Sequence, residues 1–206
     1  MENPNARLEV FCDGVFAIAI TLLILEIKLP HENYETSADL WKALAHLVPS
    51  VLAFLLSFAI ISITWVTHHN LFKLLDKTNP KFMYHNIYLL CTIVILPFPT
   101  AMLGEYVFTA QAAPAVVLYC FVNLIQSLCW ILVQRIALVN GLCINNNAEK
   151  ILSGTIKNGW YASFIYLICT IAAFWFPLTA ACIITAMWIF WYLLSINLKN
   201  EKQLNN

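Results

Sequence analysis

The chain contains few charged residues. Of its 206 residues, 11% are Asp, Glu, Lys or Arg and 61% are hydrophobic, whereas a soluble domain usually carries about 25% charged residues. So few charges cannot cover the apolar surface of a folded chain of this size in water. The low charge content therefore excludes a soluble monomer and a disordered chain, and it predicts an integral membrane protein.

An excess of charge of one sign is also missing, because 11 basic residues balance 11 acidic residues. No basic stripe is available to neutralise phosphates, which argues against a nucleic acid as a partner. The 7 cysteines include no CxxC pair, so neither a zinc site nor a disulfide framework is predicted. We expect no cofactor and no metal site.

Motifs that typically mark enzymes are absent as well. The sequence has no Gly-rich phosphate loop and no GxSxG elbow. The adjacent His68 and His69 resemble one element of a histidine box, but 5 histidines in total are too few for a metal-dependent membrane oxidase. We therefore expect that the protein is not an enzyme.

Long apolar runs dominate the sequence instead. A helix crosses the bilayer core with about 20 apolar residues, and six segments approach this length. These segments are 10–29, 43–66, 84–103, 113–139, 160–176 and 178–196. The sequence thus predicts an all-α membrane protein in which residues 1–206 form a single unit of six transmembrane helices.

The basic residues are distributed unevenly between the two sides of these six spans. Both termini fall on one side, which holds nine of the 11 basic residues, among them Lys199 and Lys202, whereas the other side holds Lys28 and Lys42. Basic residues are enriched in cytoplasmic loops. We expect a multi-pass protein of the plasma membrane with both termini in the cytoplasm.

Arg7 and Asp13 are charged residues at or within one end of the first span. Charges near the membrane are costly, and each is a functional candidate by default. The alternative interpretation is structural: Arg7 reaches the lipid headgroups, and Asp13 stabilises the N-terminal end of the helix.

An aliphatic stripe follows deeper in the same span. Ile18, Leu22 and Leu25 are spaced i, i+4 and i+7 and share one face of a helix, with Thr21 beside them. Small residues nearby allow other helices to approach closely. Periodicity alone does not distinguish a pore lining from a surface that faces lipid or another helix.

Three separated segments resemble one family. The run RLEVFCD, residues 7–13, resembles the RxxxFSD signature of the TMEM175 family of potassium channels, with Cys12 in place of the usual Ser. The following GVFAIAITLLILEI looks like the bacterial branch of that family. TWVTHHNLF resembles its W-x-x-H-H segment, and HNIYLLCTIVILPFPTAMLGEY, which includes Asn86, resembles its third span. The last three spans match mainly in hydropathy and number.

The resemblance implies a modestly selective, leak-type potassium channel without a TVGYG filter, a string that the sequence lacks. It also implies a homotetramer in the lipid bilayer, with the first helix of each chain lining the pore. The family's constricting isoleucine corresponds to Ile18, and Leu22 and Leu25 would form further apolar rings that block ions by dewetting. Thr21 would contribute a ring of hydroxyl oxygens that contacts the permeant potassium ion.

The resemblance further predicts a structural network at the ends of the first three spans. The signature residues would pack against the second and third spans, where aromatic, imidazole and amide groups supply donors and acceptors. The residues of this predicted network are Arg7, Phe11, Cys12, Asp13, Trp65, His68, His69 and Asn86.

Other interpretations remain open. A proton-coupled secondary transporter or a proton-conducting channel would use Arg7, Asp13, His68 and His69 as a relay. A transporter usually places polar groups near the middle of the membrane, whereas the middle of the first span is Ala, Ile, Thr and Leu, which favours a channel. A purely structural six-span bundle is compatible with the periodicity.

Overall fold

The computed structural model describes residues 5–30 and 34–204, with side chains described as far as Leu193. The described residues form α-helices, one 3₁₀ helix and one isolated antiparallel bridge between Leu75 and Cys143. The α-helices are α1 (Ala6–Leu22), α2 (Ser37–His46), α3 (Val48–Phe72), α4 (Pro80–Ile95), α5 (Pro97–Tyr106), α6 (Ala112–Val139), α7 (Asn146–Ala172) and α8 (Pro177–Leu204). The prediction of an all-α fold is confirmed.

Four helical stretches among the described residues are long and apolar enough to cross a membrane. These are Ala6–Glu26, Val48–Phe72, Pro80–Tyr106 and Ala112–Val139, and a shorter apolar helix covers Pro177–Leu193. The predicted fifth span, 160–176, does not match one helix, because α7 begins at Asn146 with a polar half and ends at Ala172. The structure therefore shows four candidate spans and a shorter apolar helix rather than six spans of full length.

The end of the first span departs from a regular α-helix. The sequence predicts a helix as far as Leu29, but α1 ends at Leu22 and a 3₁₀ helix follows over Leu23–Glu26. Ile27 then adopts an extended backbone. A 3₁₀ helix has three residues per turn, so residues three apart lie above one another. Leu22 and Leu25 are consequently closer to a single line than the α-helical spacing predicts.

Two other predicted spans are divided by local backbone chemistry. The predicted span 43–66 contains the end of α2 and most of α3, which meet at Leu47, with Pro49 in the first turn of α3. The predicted span 84–103 is divided between α4 and α5 at Leu96, because Pro97 has no N–H to continue the helical ladder.

Helix α6 lies at the centre of the bundle and packs against α4, α5, α7 and α8. Glycine permits close approach at one of these contacts, since a Cβ on Gly159 of α7 would lie 2.9 Å from Cγ1 of Ile131 on α6. Lipid chains are as apolar as leucine, so tight packing and interhelical hydrogen bonds hold a membrane bundle together. Small residues at helix contacts supply that packing.

The loops that follow α3 and α6 are joined by backbone hydrogen bonds. The N–H of Asp76 donates to the carbonyl of Leu142 at 2.9 Å, and the N–H of Ile144 donates to the carbonyl of Leu74 at 2.9 Å. Gly141 has a φ of 59° and ends α6 in the left-handed conformation that glycine adopts most easily. The side chains of Lys199 and Lys202, which entered the orientation argument, lie outside the described residues.

Candidate functional site: the two faces of α1

One face of α1 is buried against the rest of the chain. Its members recur at helical spacing and are at most 8% exposed: Leu8, Cys12, Phe16, Ala19 and, in the 3₁₀ helix, Leu23. Helix α1 packs on α3 and α4, and its 3₁₀ extension packs on α3 and α5. This face therefore fixes the rotation of the helix about its own axis.

A buried polar chain links α1, α4 and α3. The Nδ2 amide of Asn86 donates to Sγ of Cys12 at 3.0 Å, and Oδ1 of Asn86 lies 2.8 Å from Nε2 of His68. All three residues are at most 1% exposed. Because an amide oxygen only accepts, the hydrogen bond assigns the proton of His68 to Nε2.

Aromatic rings enclose the imidazole of His68. Its ring centre lies 5.3 Å from that of Phe16, 5.0 Å from that of Phe72 and 6.1 Å from that of Trp130. These residues come from α1, α3 and α6. The imidazole of His68 is therefore buried at the place where α1, α3 and α6 pack together.

A second polar link lies on a more exposed part of α1. The indole Nε1 of Trp65 donates to Oδ1 of Asp13 at 2.8 Å, and the Trp65 ring stacks on His69 with the ring centres 6.5 Å apart. Trp65 is 41% exposed. This hydrogen bond is a second attachment of α1 to α3.

Two residues of the predicted network do not join it within the single chain. Phe11 is 54% exposed, and Arg7 is also exposed. Within residues 5–30 and 34–204, the structure gives Arg7 neither an ion pair nor a hydrogen bond from its guanidinium. Their participation in the network stays a prediction.

The opposite face of α1 carries the aliphatic row. Ile18, Leu22 and Leu25 are 61%, 40% and 60% exposed. Thr21 is exposed beside them, and its hydroxyl donates to the carbonyl of Ile18 at 2.9 Å. Since the hydroxyl proton is donated to this carbonyl, the lone pairs of the hydroxyl oxygen remain available for another ligand.

Neither histidine of the adjacent pair belongs to a metal cluster. His68 is buried, whereas His69 is exposed and stacks on Trp65. Over the described ranges, no three His, Cys, Asp or Glu side chains come together in a way that would hold a metal ion.

The sequence argument missed a row of buried polar residues on α6. Asn123, Gln126, Ser127 and Gln134 are 2% to 8% exposed, and they recur at helical spacing along the face that meets α3 and α7. Gln126 Nε2 donates to Oγ1 of Thr64 on α3, and Ser127 shares a 2.8 Å hydrogen bond with Ser163 of α7. A search for polar residues at helical spacing within the apolar run would have found them.

Comparison with known proteins identifies the fold. Residues 7–97 match the family model described as endosomal/lysosomal potassium channel TMEM175. The chain also resembles the crystal structure of a lysosomal potassium-selective channel TMEM175 homolog from Chamaesiphon minutus, with 34% identity and a TM-score of 0.84 over 94% of this chain and 99% of the other. The chain belongs to the TMEM175 family.

Two curated relatives of the TMEM175 family are named potassium channels. One, from Chamaesiphon minutus, is 48% identical over 118 residues, or 57% of this chain and 58% of the relative. The other, from Streptomyces collinus, is 40% identical over 134 residues, or 62% of this chain and 64% of the relative. The matched region thus covers less than two thirds of either relative. These named members are ion channels, which agrees with the expectation that the chain is not an enzyme.

A third relative is named a proton channel rather than a potassium channel. The chicken endosomal/lysosomal proton channel TMEM175 is 37% identical to this chain over 106 residues, which are 48% of this chain and 21% of the chicken protein. A second transported ion is therefore named within the family.

Proposed function

We propose that four copies of this chain form a modestly selective potassium channel whose central pore is lined by α1. The observation that carries the proposal is the division of α1 into two faces. One face is buried against α3 and α4, whereas the row Ile18, Leu22 and Leu25 is left uncovered by the chain itself. The names of the bacterial relatives support potassium as the permeant ion.

The membrane unit of the proposal spans residues 1–206. The four long apolar helical stretches supply four crossings, and the apolar second half of α7 and the helix α8 supply two shorter ones. An even number of crossings leaves both termini on one side, and the excess of basic residues assigns that side to the cytoplasm. The channel would lie in the plasma membrane.

The constriction is formed by rings of aliphatic side chains. Four copies of Ile18 would make the narrow ring, with rings of Leu22 and Leu25 further along. The α-helical rise places Leu22 about 6 Å beyond Ile18, and the 3₁₀ rise places Leu25 about 6 Å beyond Leu22. Such rings exclude water when they close, and an ion that cannot keep its hydration shell does not pass.

Thr21 supplies the polar contact beside these rings. Its hydroxyl proton is committed to the carbonyl of Ile18, so the oxygen would face the ion as an acceptor. Neutral oxygens compensate best for the loss of weakly held water, which favours potassium over sodium. The exposed row between Ile18 and Leu25 has no carboxylate, so selectivity is modest and divalent cations are disfavoured. Conduction needs no bound cofactor.

The links from Cys12 and Asp13 position the pore lining. Adjacent residues of an α-helix are about 100° apart around its axis, so a small rotation of α1 would move Ile18 away from the central axis. The hydrogen bonds through Asn86 and Trp65 hold two points of α1 against α4 and α3. They act as positioning contacts and do not touch the ion.

A proton-conducting channel or a proton-coupled transporter is the second candidate. The observation in its favour is the name of the chicken relative. Against a relay through the signature, His68 is enclosed by aromatic rings and Asp13 is bonded to an indole. Proton flux measured beside potassium flux separates the two candidates.

The test of the assembly and of the activity uses the wild-type protein. Chemical crosslinking and native mass spectrometry of the purified protein should give a tetramer. Vesicles that contain the protein should release potassium at a rate proportional to the amount of protein, and empty vesicles should not. A monomer, or a folded tetramer that passes no potassium, would contradict the proposal.

A further inference from the structure

A cavity of about 80 Å³ lies between α3, α6, α7 and α8. Most of its wall is apolar, with three indole rings and two isoleucines: Trp130, Trp188, Trp191, Ile63 and Ile131. None of its lining residues is Asp, Glu, Lys or Arg. An uncharged wall inside a membrane bundle disfavours a charged occupant.

Three residues of this wall each carry a buried polar atom that the described chain leaves without a hydrogen-bond partner. These atoms are Oδ1 of Asn123, Oε1 of Gln126 and Nε1 of Trp188. The residues are 2%, 4% and 8% exposed. Unpaired polar groups are costly in a protein interior and more so within a membrane, where water does not compensate for them.

Neighbouring hydrogen bonds fix which end of each amide is unpaired. Nδ2 of Asn123 donates to the carbonyl of Tyr119 at 2.8 Å, and Nε2 of Gln126 donates to Oγ1 of Thr64 at 3.4 Å. Thr64 gives its own proton to the carbonyl of Ile60. Reversal of either amide would place oxygen against oxygen, so these lining residues carry two unpaired acceptors and one unpaired donor.

We propose that this cavity binds a small uncharged molecule with a carboxamide head and a short apolar body. A primary carboxamide has two N–H donors and one carbonyl acceptor, which complement the two amide oxygens and the indole N–H. The apolar body would pack against the indole rings and the isoleucines. The cavity is smaller than the engineered cavity of about 150 Å³ that holds benzene, so the body is limited to a few carbon atoms.

A second cavity of about 40 Å³ adjoins the first and shares Thr67, Trp130, Gln134 and Thr155 with it. It extends towards Asn70 and Ile151, near the end of α3 and the start of α7. The two cavities are therefore neighbours, and the second lies between the first and this end of the bundle. The ligand would therefore enter from the side of the membrane that holds the loop after α3.

The experiment uses isobutyramide as the probe and isobutyrate, its charged isostere, as the ligand control. The wild-type protein in lipid nanodiscs should transfer saturation to isobutyramide in NMR and not to isobutyrate. The variants Asn123→Leu and Gln126→Leu should each weaken isobutyramide binding at least tenfold. Leu132→Met, at a 47% exposed position on the same helix, should bind as the wild type does.

The proposal is overturned if the folded wild-type protein does not bind isobutyramide, or if the two Leu variants bind it as well as the wild type. A density map of the wild-type protein with the probe gives a test that does not depend on the folding of any variant. Density for isobutyramide between Asn123 and Trp188 is expected, and water molecules alone at that place would refute the proposal. Binding is measured without ion flux, so the result is independent of the proposed channel activity.

Discussion

The indole of Trp65 on α3 donates a 2.8 Å hydrogen bond to the carboxylate of Asp13 on α1. Asp13 directly follows Cys12, the α1 member of the buried chain Cys12–Asn86–His68, and adjacent residues lie about 100° apart around the helix axis, so the two attachments restrain α1 in two directions. The row of Ile18, Leu22 and Leu25 is thereby held on the uncovered side. The rotation of the proposed pore lining thus depends on a few polar contacts.

Replacement of Asp13 by alanine should loosen α1 and lower both tetramer recovery and potassium flux. The Trp65 N–H would lose its acceptor, and interhelical hydrogen bonds of membrane proteins contribute about 0.6–1.7 kcal/mol. Asp13→Asn keeps an acceptor oxygen and should have a smaller effect. Sizing in detergent and vesicle flux measure the two outcomes, and a double-mutant cycle with Trp65→Phe isolates the pair. An Asp13→Ala protein with normal assembly and flux would show that the contact has no positioning role.

Substitutions of Cys12 should show how much its hydrogen bond with Asn86 adds to stability beyond the packing of its side chain. Cys12→Ala leaves the buried Nδ2 amide of Asn86 without its acceptor, which should lower stability by about 1–3 kcal/mol. Cys12→Ser supplies a hydroxyl oxygen, a better acceptor than a thiol, and should melt at or above the wild-type temperature. Thermal unfolding in one detergent measures the series. Equal melting temperatures for the Ser and Ala variants would mean that the Asn86 contact contributes nothing.

Ile18→Asn should increase potassium flux, because an amide ring holds water where an aliphatic ring expels it. Ile18→Leu keeps the volume and apolar character of the side chain and should leave the flux close to that of the wild type. Flux per tetramer in reconstituted vesicles is the measurement. If Ile18→Asn assembles normally and conducts like Ile18→Leu, the constriction is not at this position.

Thr21→Val should reduce the preference for potassium over sodium, because it removes the exposed oxygen and keeps the shape of the side chain. The effect should be a few-fold change in the permeability ratio, since selectivity is modest at the outset. Thr185→Val on α8 is the matched control: Thr185 is also exposed and also bonds its own helix backbone, at 2.8 Å. A change of the ratio in both variants, or in neither, would argue against a specific role of Thr21.

Hydropathy and three short motifs were sufficient to predict the helical membrane fold and the family, because long apolar runs and the RLEVFCD segment are local properties of the sequence. The division at Leu47 and the 3₁₀ turn over Leu23–Glu26 were not predicted, since they depend on local backbone geometry. Hydropathy averaged over a whole segment does not report that geometry. The same averaging concealed Asn123 and Gln126 within an apolar helix. The contact of Asn86 with Cys12 joins residues 74 positions apart, so the sequence indicated the members of the network but not their pairing.

The central claim is passive potassium conduction, and the reversal potential of the reconstituted wild-type protein tests it most directly. Under opposed gradients of potassium, sodium and protons, the potential should follow the potassium gradient, with a smaller displacement by sodium. A potential that follows the proton gradient alone, or the absence of any protein-dependent current, would contradict the account.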